Sequence, residues 1–111
     1  MSIEVTMRHS DVRIEAMREY AVKRMEKLAE KFPKVTTINI VIDIDAKKHM
    51  YMAEVVANRL GSTAVGAKEF SESAKSVIDA AAARAERQLL RMRVKARKGA
   101  VREQRAASVK N

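Results

Sequence analysis

The stretch "VTTINIVIDIDAKKHMYMAEVVANRL", residues 35–60, reads as two β-strands joined by a short turn. Its first eleven residues alternate, placing Ile38, Ile40, Ile42 and Ile44 on one face of a β-strand. The run from Met50 to Leu60 is a second β segment with apolar residues on both faces. Glu54 orients it, leaving Tyr51, Ala53, Val55 and Ala57 inward. Lys47, Lys48 and His49 supply the turn between the two.

Upstream, Pro33 closes a helix, because proline lacks an N–H and disfavours the helical region at Phe32. Met17, Ala21, Met25, Leu28 and Phe32 recur at spacings of three and four, one stripe of a helix that begins near Ile14. Before it, Ile3, Val5 and Met7 alternate with Glu4, Thr6 and Arg8, the pattern of a half-buried strand. Downstream, Thr63 to Glu69 reads as a fourth strand with Val65 and Ala67 inward. Ser71 or Ser73 can cap a last helix, with Glu72 close to its positive end. That helix carries an apolar stripe of Ala74, Ile78, Ala81, Ala85, Leu89, Met92 and Ala96, and is expected to stop near Lys98 at a Gly99 C-cap. The order β-α-β-β-β-α predicts an α+β two-layer sandwich, a four-stranded sheet with two helices packed on one face. Residues 1–98 form the expected domain, and 99–111 a basic, flexible C-terminal tail.

The chain has 111 residues and a formal net charge of +9, distributed unevenly. From Arg84 onward there are 10 basic and 2 acidic residues, whereas the first 83 residues hold 13 and 12. Arg84, Arg87, Arg91, Lys95 and Lys98 share the helix face opposite Ile78, Ala85, Leu89 and Met92, and Arg93 and Arg97 widen it. Lys23, Lys27 and Lys31 make a shorter ladder on the first helix. If both helices cover the same sheet face, the ladders merge into one positive surface. A solvated charge run is the plainer reading, but solubility is normally secured with both signs mixed. Like charges at i, i+4 also cost a few tenths of a kcal/mol per pair, roughly. An anionic partner, nucleic acid above all, explains such a surface better. With aromatic residues at 4%, base stacking is not its main contact. Backbone and shape readout of structured RNA fits instead.

Other chemistries find little support. Asp43 and Asp45 share a strand face without a third carboxylate placed beside them, and read as polar surface, not a cation site. His9 and His49 stand without a nucleophile or carboxylate at motif spacing. The seven Met residues fall mostly on inward stripes, as core filler. The chain carries no cysteine, Walker loop, dinucleotide fingerprint or zinc pattern. A non-enzyme without cofactor, metal or small-molecule substrate is expected. The absence of cysteine fits a reducing cytoplasm, and no apolar run is long enough for a membrane span or a signal-peptide core, so a cytoplasmic protein with no membrane partner is expected.

The runs "AMREYAVKRMEKLAEKF" at 16–32, "AEV" at 53–55 and "VIDAAAARAERQLLRMRVKARK" at 77–98 resemble the ribosome hibernation-promoting factors, also called ribosome-associated inhibitor or sigma-54 modulation proteins. The resemblance spans residues 3–98 in order. It implies a stress- and stationary-phase translation inhibitor. Such a protein binds the small ribosomal subunit between head and body, in the path of messenger RNA and of A- and P-site transfer RNA. It carries RNA contact onto Lys23, Lys27, Lys31, Arg84, Arg87, Arg91 and Lys95, with Arg8 and His9 at a further basic position. The chain departs from the family at Ile14, where a capping Thr is usual, and at Lys75, where an aromatic residue is common. Ending at Asn111, it reads as a short form lacking the dimerisation domain of long members. All inward stripes are used in one sandwich, so a monomer off the ribosome is expected. Two alternatives stay open at this point. One is a generic double-stranded RNA module, although such domains start with a helix. The other is a protein-interaction regulator whose basic face meets an acidic protein.

Overall fold

The computed structural model describes residues 2–8, 14–45, 47, 49–59 and 65–110, with backbone alone for 14, 15 and 94–110. The elements are β1 (Ser2–Met7), α1 (Ile14–Lys31), β2 (Val35–Asp45), β3 (Met50–Arg59), β4 (Val65–Ser71) and α2 (Ala74–Lys110). They build the expected α+β sandwich. The strands lie in sequence order, β1-β2-β3-β4. β1 runs parallel to β2, with α1 as the crossover that parallel pairing requires, and β2, β3 and β4 form an antiparallel meander.

The register explains the core. Val5 pairs with Ile40, Ile40 with Val55 and Val55 with Ala67, one apolar row across the whole sheet. The row Ile3–Ile38–Ala57–Val65 lies beside it. α1 packs over β1 and β2, and α2 over β3 and β4, so the helices lie side by side on one face. Ala21, Met25, Leu28 and Phe32 of the α1 stripe are buried, as are Ile78, Ala81, Ala85 and Leu89 of α2. Where α2 meets the sheet the strands present Ala53, Ala57 and Ala67, and the helix presents Ala81, Ala82 and Ala85. Small side chains on both layers let the two backbones approach closely. On the α1 side, β2 presents the bulkier Ile38, Ile40 and Ile42, all buried.

Local chemistry sets the element ends. Ser73 is the N-cap of α2: its Oγ accepts from Ser76 N–H at 3.3 Å and its carbonyl from Val77 N–H at 3.0 Å. After α1, Phe32 N–H donates to the Ala29 carbonyl and Val35 N–H to the Phe32 carbonyl, a tight turn around Pro33. In the β2–β3 turn, Asp45 Oδ1 accepts from Lys47 N–H, and His49 takes a left-handed φ of 51°.

The structure corrects the sequence reading at several points. α2 does not stop at Lys98; it continues through Gly99 to Lys110. A glycine inside a helix costs about 1 kcal/mol relative to alanine but does not terminate it. The residues that follow, "AVREQRAASVK", are mostly helix formers with no proline among them. β4 reaches Ser71 instead of ending at Glu69, because Phe70 and Ser71 still pair with Met52 and Tyr51. Thr63 and Ala64 lie outside the described residues. β2 contains an irregularity between Val35 and Thr37, which shifts the phase of alternation and puts Val35 in the core with Ile38. Finally, one apolar surface is left over. The sheet face away from the helices carries partly buried Val41, Met52 and Val56 beside Phe70, which is 56% exposed.

Candidate nucleic-acid interface

The helix layer holds the cations. On α1, Lys23 and Lys27 are exposed, pointing away from buried Ala21, Met25 and Leu28. On α2, Arg87 and Arg91 are exposed, opposite Ala85 and Leu89. These four make no ion pair among the described residues. Because α1 and α2 are neighbours, the two pairs lie on adjacent outward surfaces.

Lys31 and Arg84 belong to the same layer but are already engaged. Lys31 Nζ lies 2.7 Å from Glu86 Oε1 across the helix–helix seam. Arg84 leans the other way, towards β4, where its guanidinium donates to Glu69 Oε1 at 3.2 Å and to the Lys68 carbonyl at 3.3 Å. Arg8 is exposed just past β1, its N–H donating to the Ile42 carbonyl. His9 lies outside the described residues, and for Lys95 only the backbone is described.

The seam between the helices is a polar ladder that helical periodicity did not single out. The Tyr20 hydroxyl donates to Asp79 Oδ1, which also pairs with Arg24 at 3.4 Å. One turn pair later comes Lys31–Glu86. Arg93 ends it, donating to the Lys31 carbonyl while its guanidinium lies 4.6 Å from the Phe32 ring centre. Arg93 therefore does not widen the outward face. It caps the C-terminal end of α1, where unsatisfied carbonyls and the helix dipole favour a cation. Asp79, Glu86 and Arg93 recur every seven residues, and that spacing is the signal that could have found the seam. Lys75 takes a related position, its ammonium 5.5 Å from the Tyr20 ring centre. The bond to Asp79 holds the Tyr20 phenol above its ordinary value of 10.0, with desolvation and the Asp79 charge adding to it.

Outside this layer the described residues offer little chemistry. No three His, Asp or Glu side chains among them gather as a metal site. Asp43 Oδ1 accepts from Ile44 N–H, a local backbone partner. No helix among the described residues is long and apolar enough to cross a membrane.

Residues 3–97 match the family described as Sigma 54 modulation protein / S30EA ribosomal protein. The chain belongs to this family. It is the ribosome hibernation-promoting factor family that the sequence resembles, a family of modulation factors and not a known class of enzyme. Solved structures agree on the fold of this family member. A ribosomal subunit interface protein from Coxiella burnetii superposes with a TM-score of 0.74 at 21% identity, over 85% of this chain and 99% of that one. The N-terminal domain of Protein Y from Thermus thermophilus gives 0.69 at 23% identity, over 83% and 99%. No curated protein matches the chain significantly.

Proposed function

We propose that the chain is a ribosome hibernation factor, binding small-subunit ribosomal RNA through the basic surface of α1 and α2. In this reading it occupies the channel of messenger RNA and of A- and P-site transfer RNA, and inhibits translation in the cytoplasm during stress or stationary phase. Family membership supports a ribosomal partner. The observation that carries the mode of binding is the row of exposed Lys23, Lys27, Arg87 and Arg91 on two adjacent helices. Lys31, Arg84, Lys95, Arg8 and His9 complete the proposed contact set.

The chemistry required is modest. A cation without an intramolecular partner meets a phosphate oxygen with no bond to break first, and arginine can do so with two parallel N–H donors. A flat pair of helices lacking exposed aromatic residues on this layer reads backbone shape, not base identity. Sedimentation of lysate on a sucrose gradient tests the proposal. Co-migration with small subunits and whole ribosomes is expected. Free protein at the top of the gradient contradicts it and favours a regulator that meets an acidic protein.

A further inference from the structure

The helix cations of the proposed contact set whose side chains are described fall into two classes. Lys23, Lys27, Arg87 and Arg91 are open, whereas Lys31 and Arg84 each hold a carboxylate. The carboxylates come from different places: Glu86 from the seam side of α2, Glu69 from the edge of β4. Both lie deeper than the cations they hold. The Glu86 side chain is 23% exposed against 59% for Lys31, and Glu69 is 31% exposed against 50% for Arg84. Each flank of α2 therefore holds one cation of the proposed contact set in a carboxylate latch, Lys31 on the seam side and Arg84 on the β4 side, with the open arginines between them.

We infer that Glu86 and Glu69 are built-in competitors of phosphate, which hold Lys31 and Arg84 back from polyanions and so set how selectively the basic surface binds. The inference rests on the reading of this surface as the RNA-binding one. A phosphate reaching Lys31 or Arg84 must share the cation with a carboxylate already within hydrogen-bonding distance, or displace it. A displaced carboxylate stays tethered nearby and repels the newcomer. A flexible polyanion meets the open cations and gains little at the flanks. A rigid surface that already engages the open cations delivers its phosphates to the flanks without further loss of freedom, and can displace the carboxylates there. Affinity for arbitrary nucleic acid is lowered, and the open cations are left for a partner of the right shape.

The test uses the full chain and a 20-nucleotide poly(U) oligomer at low salt, so that no ribosome enters it. Glu86→Gln and Glu69→Gln keep the side-chain shape and remove the charge. Each is expected to tighten poly(U) binding by about two- to fivefold, the range that exposed ion pairs support. The log–log salt slope should steepen by roughly 0.7 per released cation. Glu4→Gln, an exposed position on β1 directed away from the helices, makes the same change in net charge and controls for it. Binding by either variant that stays at the level of Glu4→Gln, with an unchanged thermal midpoint, overturns the inference and leaves the pairs as structural ties. The two flanks are independent, so loss of folding in one variant leaves the other decisive. Failure of the wild-type chain to co-sediment with subunits refutes the proposed function, while the poly(U) comparison still stands on its own.

Discussion

The Tyr20 hydroxyl donates to Asp79 Oδ1 at 2.5 Å, across 59 residues of sequence. This contact joins the middle of α1 to the first turns of α2, and Arg24 reinforces it from the same side. It fixes how the two cation-bearing helices lie relative to each other. Replacing Tyr20 with Phe is expected to cost about 1.5 kcal/mol, the lower end for a hydrogen bond to a charged acceptor because the pair is only partly buried. Urea unfolding at neutral pH measures it.

The same contact has a pH signature. The folded state holds the Tyr20 phenol above 10.0, so folding favours the protonated form. That contribution is complete below the ordinary phenol value and is lost as pH rises through the higher folded value. The stability difference between wild type and Tyr20→Phe should therefore shrink as pH is raised above 10.0. A difference that stays constant or grows there contradicts this assignment.

Leu89 separates fold from function. Its side chain is 1% exposed, beneath the face that carries Arg87 and Arg91. Leu89→Ala should destabilise by about 2–5 kcal/mol, through lost burial and the cavity left behind. At temperatures well below the new midpoint the cations remain in place, so RNA affinity should change little. A large loss of affinity in a folded Leu89→Ala protein would mean that α2 has moved.

Much of the architecture was legible because each face declares itself through periodicity. Ile38, Ile40 and Ile42 alternate in sequence and are buried in the structure, and Ala21, Met25 and Leu28 do the same at helical spacing. The seam is legible only as a seven-residue recurrence of polar side chains, not as a set of partners. Asp79, Glu86 and Arg93 lie beside the apolar stripe of α2, and their roles depend on where α1 packs, which the α2 sequence does not record. The partners of Lys31 and Arg84 are equally absent from helical periodicity, because Glu86 meets Lys31 only when α1 packs on α2, and Glu69 meets Arg84 only when α2 packs on β4. Gly99 is an ambiguous signal for the end of α2, because helices tolerate a glycine when good formers follow it. The irregularity at Val35–Thr37 has no distinctive residue type, only side-chain bonds from Thr36 to the Asn58 carbonyl and from Asn58 to Thr37 that show after folding.

The uncovered sheet face bears on oligomeric state. Val41, Met52, Val56 and Phe70 are interleaved there with Glu4, Asn39, Asp43, Glu54 and Lys68, which breaks the apolar surface into small pieces. A monomer at micromolar concentration is expected by light scattering. A stable dimer contradicts this, and its loss on Phe70→Ser would locate the interface on this face.

If the exposed cations of α1 and α2 hold RNA phosphates, small-subunit binding must weaken with salt in proportion to the contacts made. The wild-type chain should show a linear log–log plot with a slope of roughly −0.7 to −0.9 per neutralised phosphate. Arg87→Glu with Arg91→Glu should bind far more weakly and with a shallower slope, because two contacts vanish and two repulsions appear. Both side chains are exposed, so the fold should survive. Lys47→Glu, in the β2–β3 turn, should do much less. If the double variant stays folded and still binds subunits with wild-type affinity and slope, the basic helix layer is a solvated surface and the account is wrong.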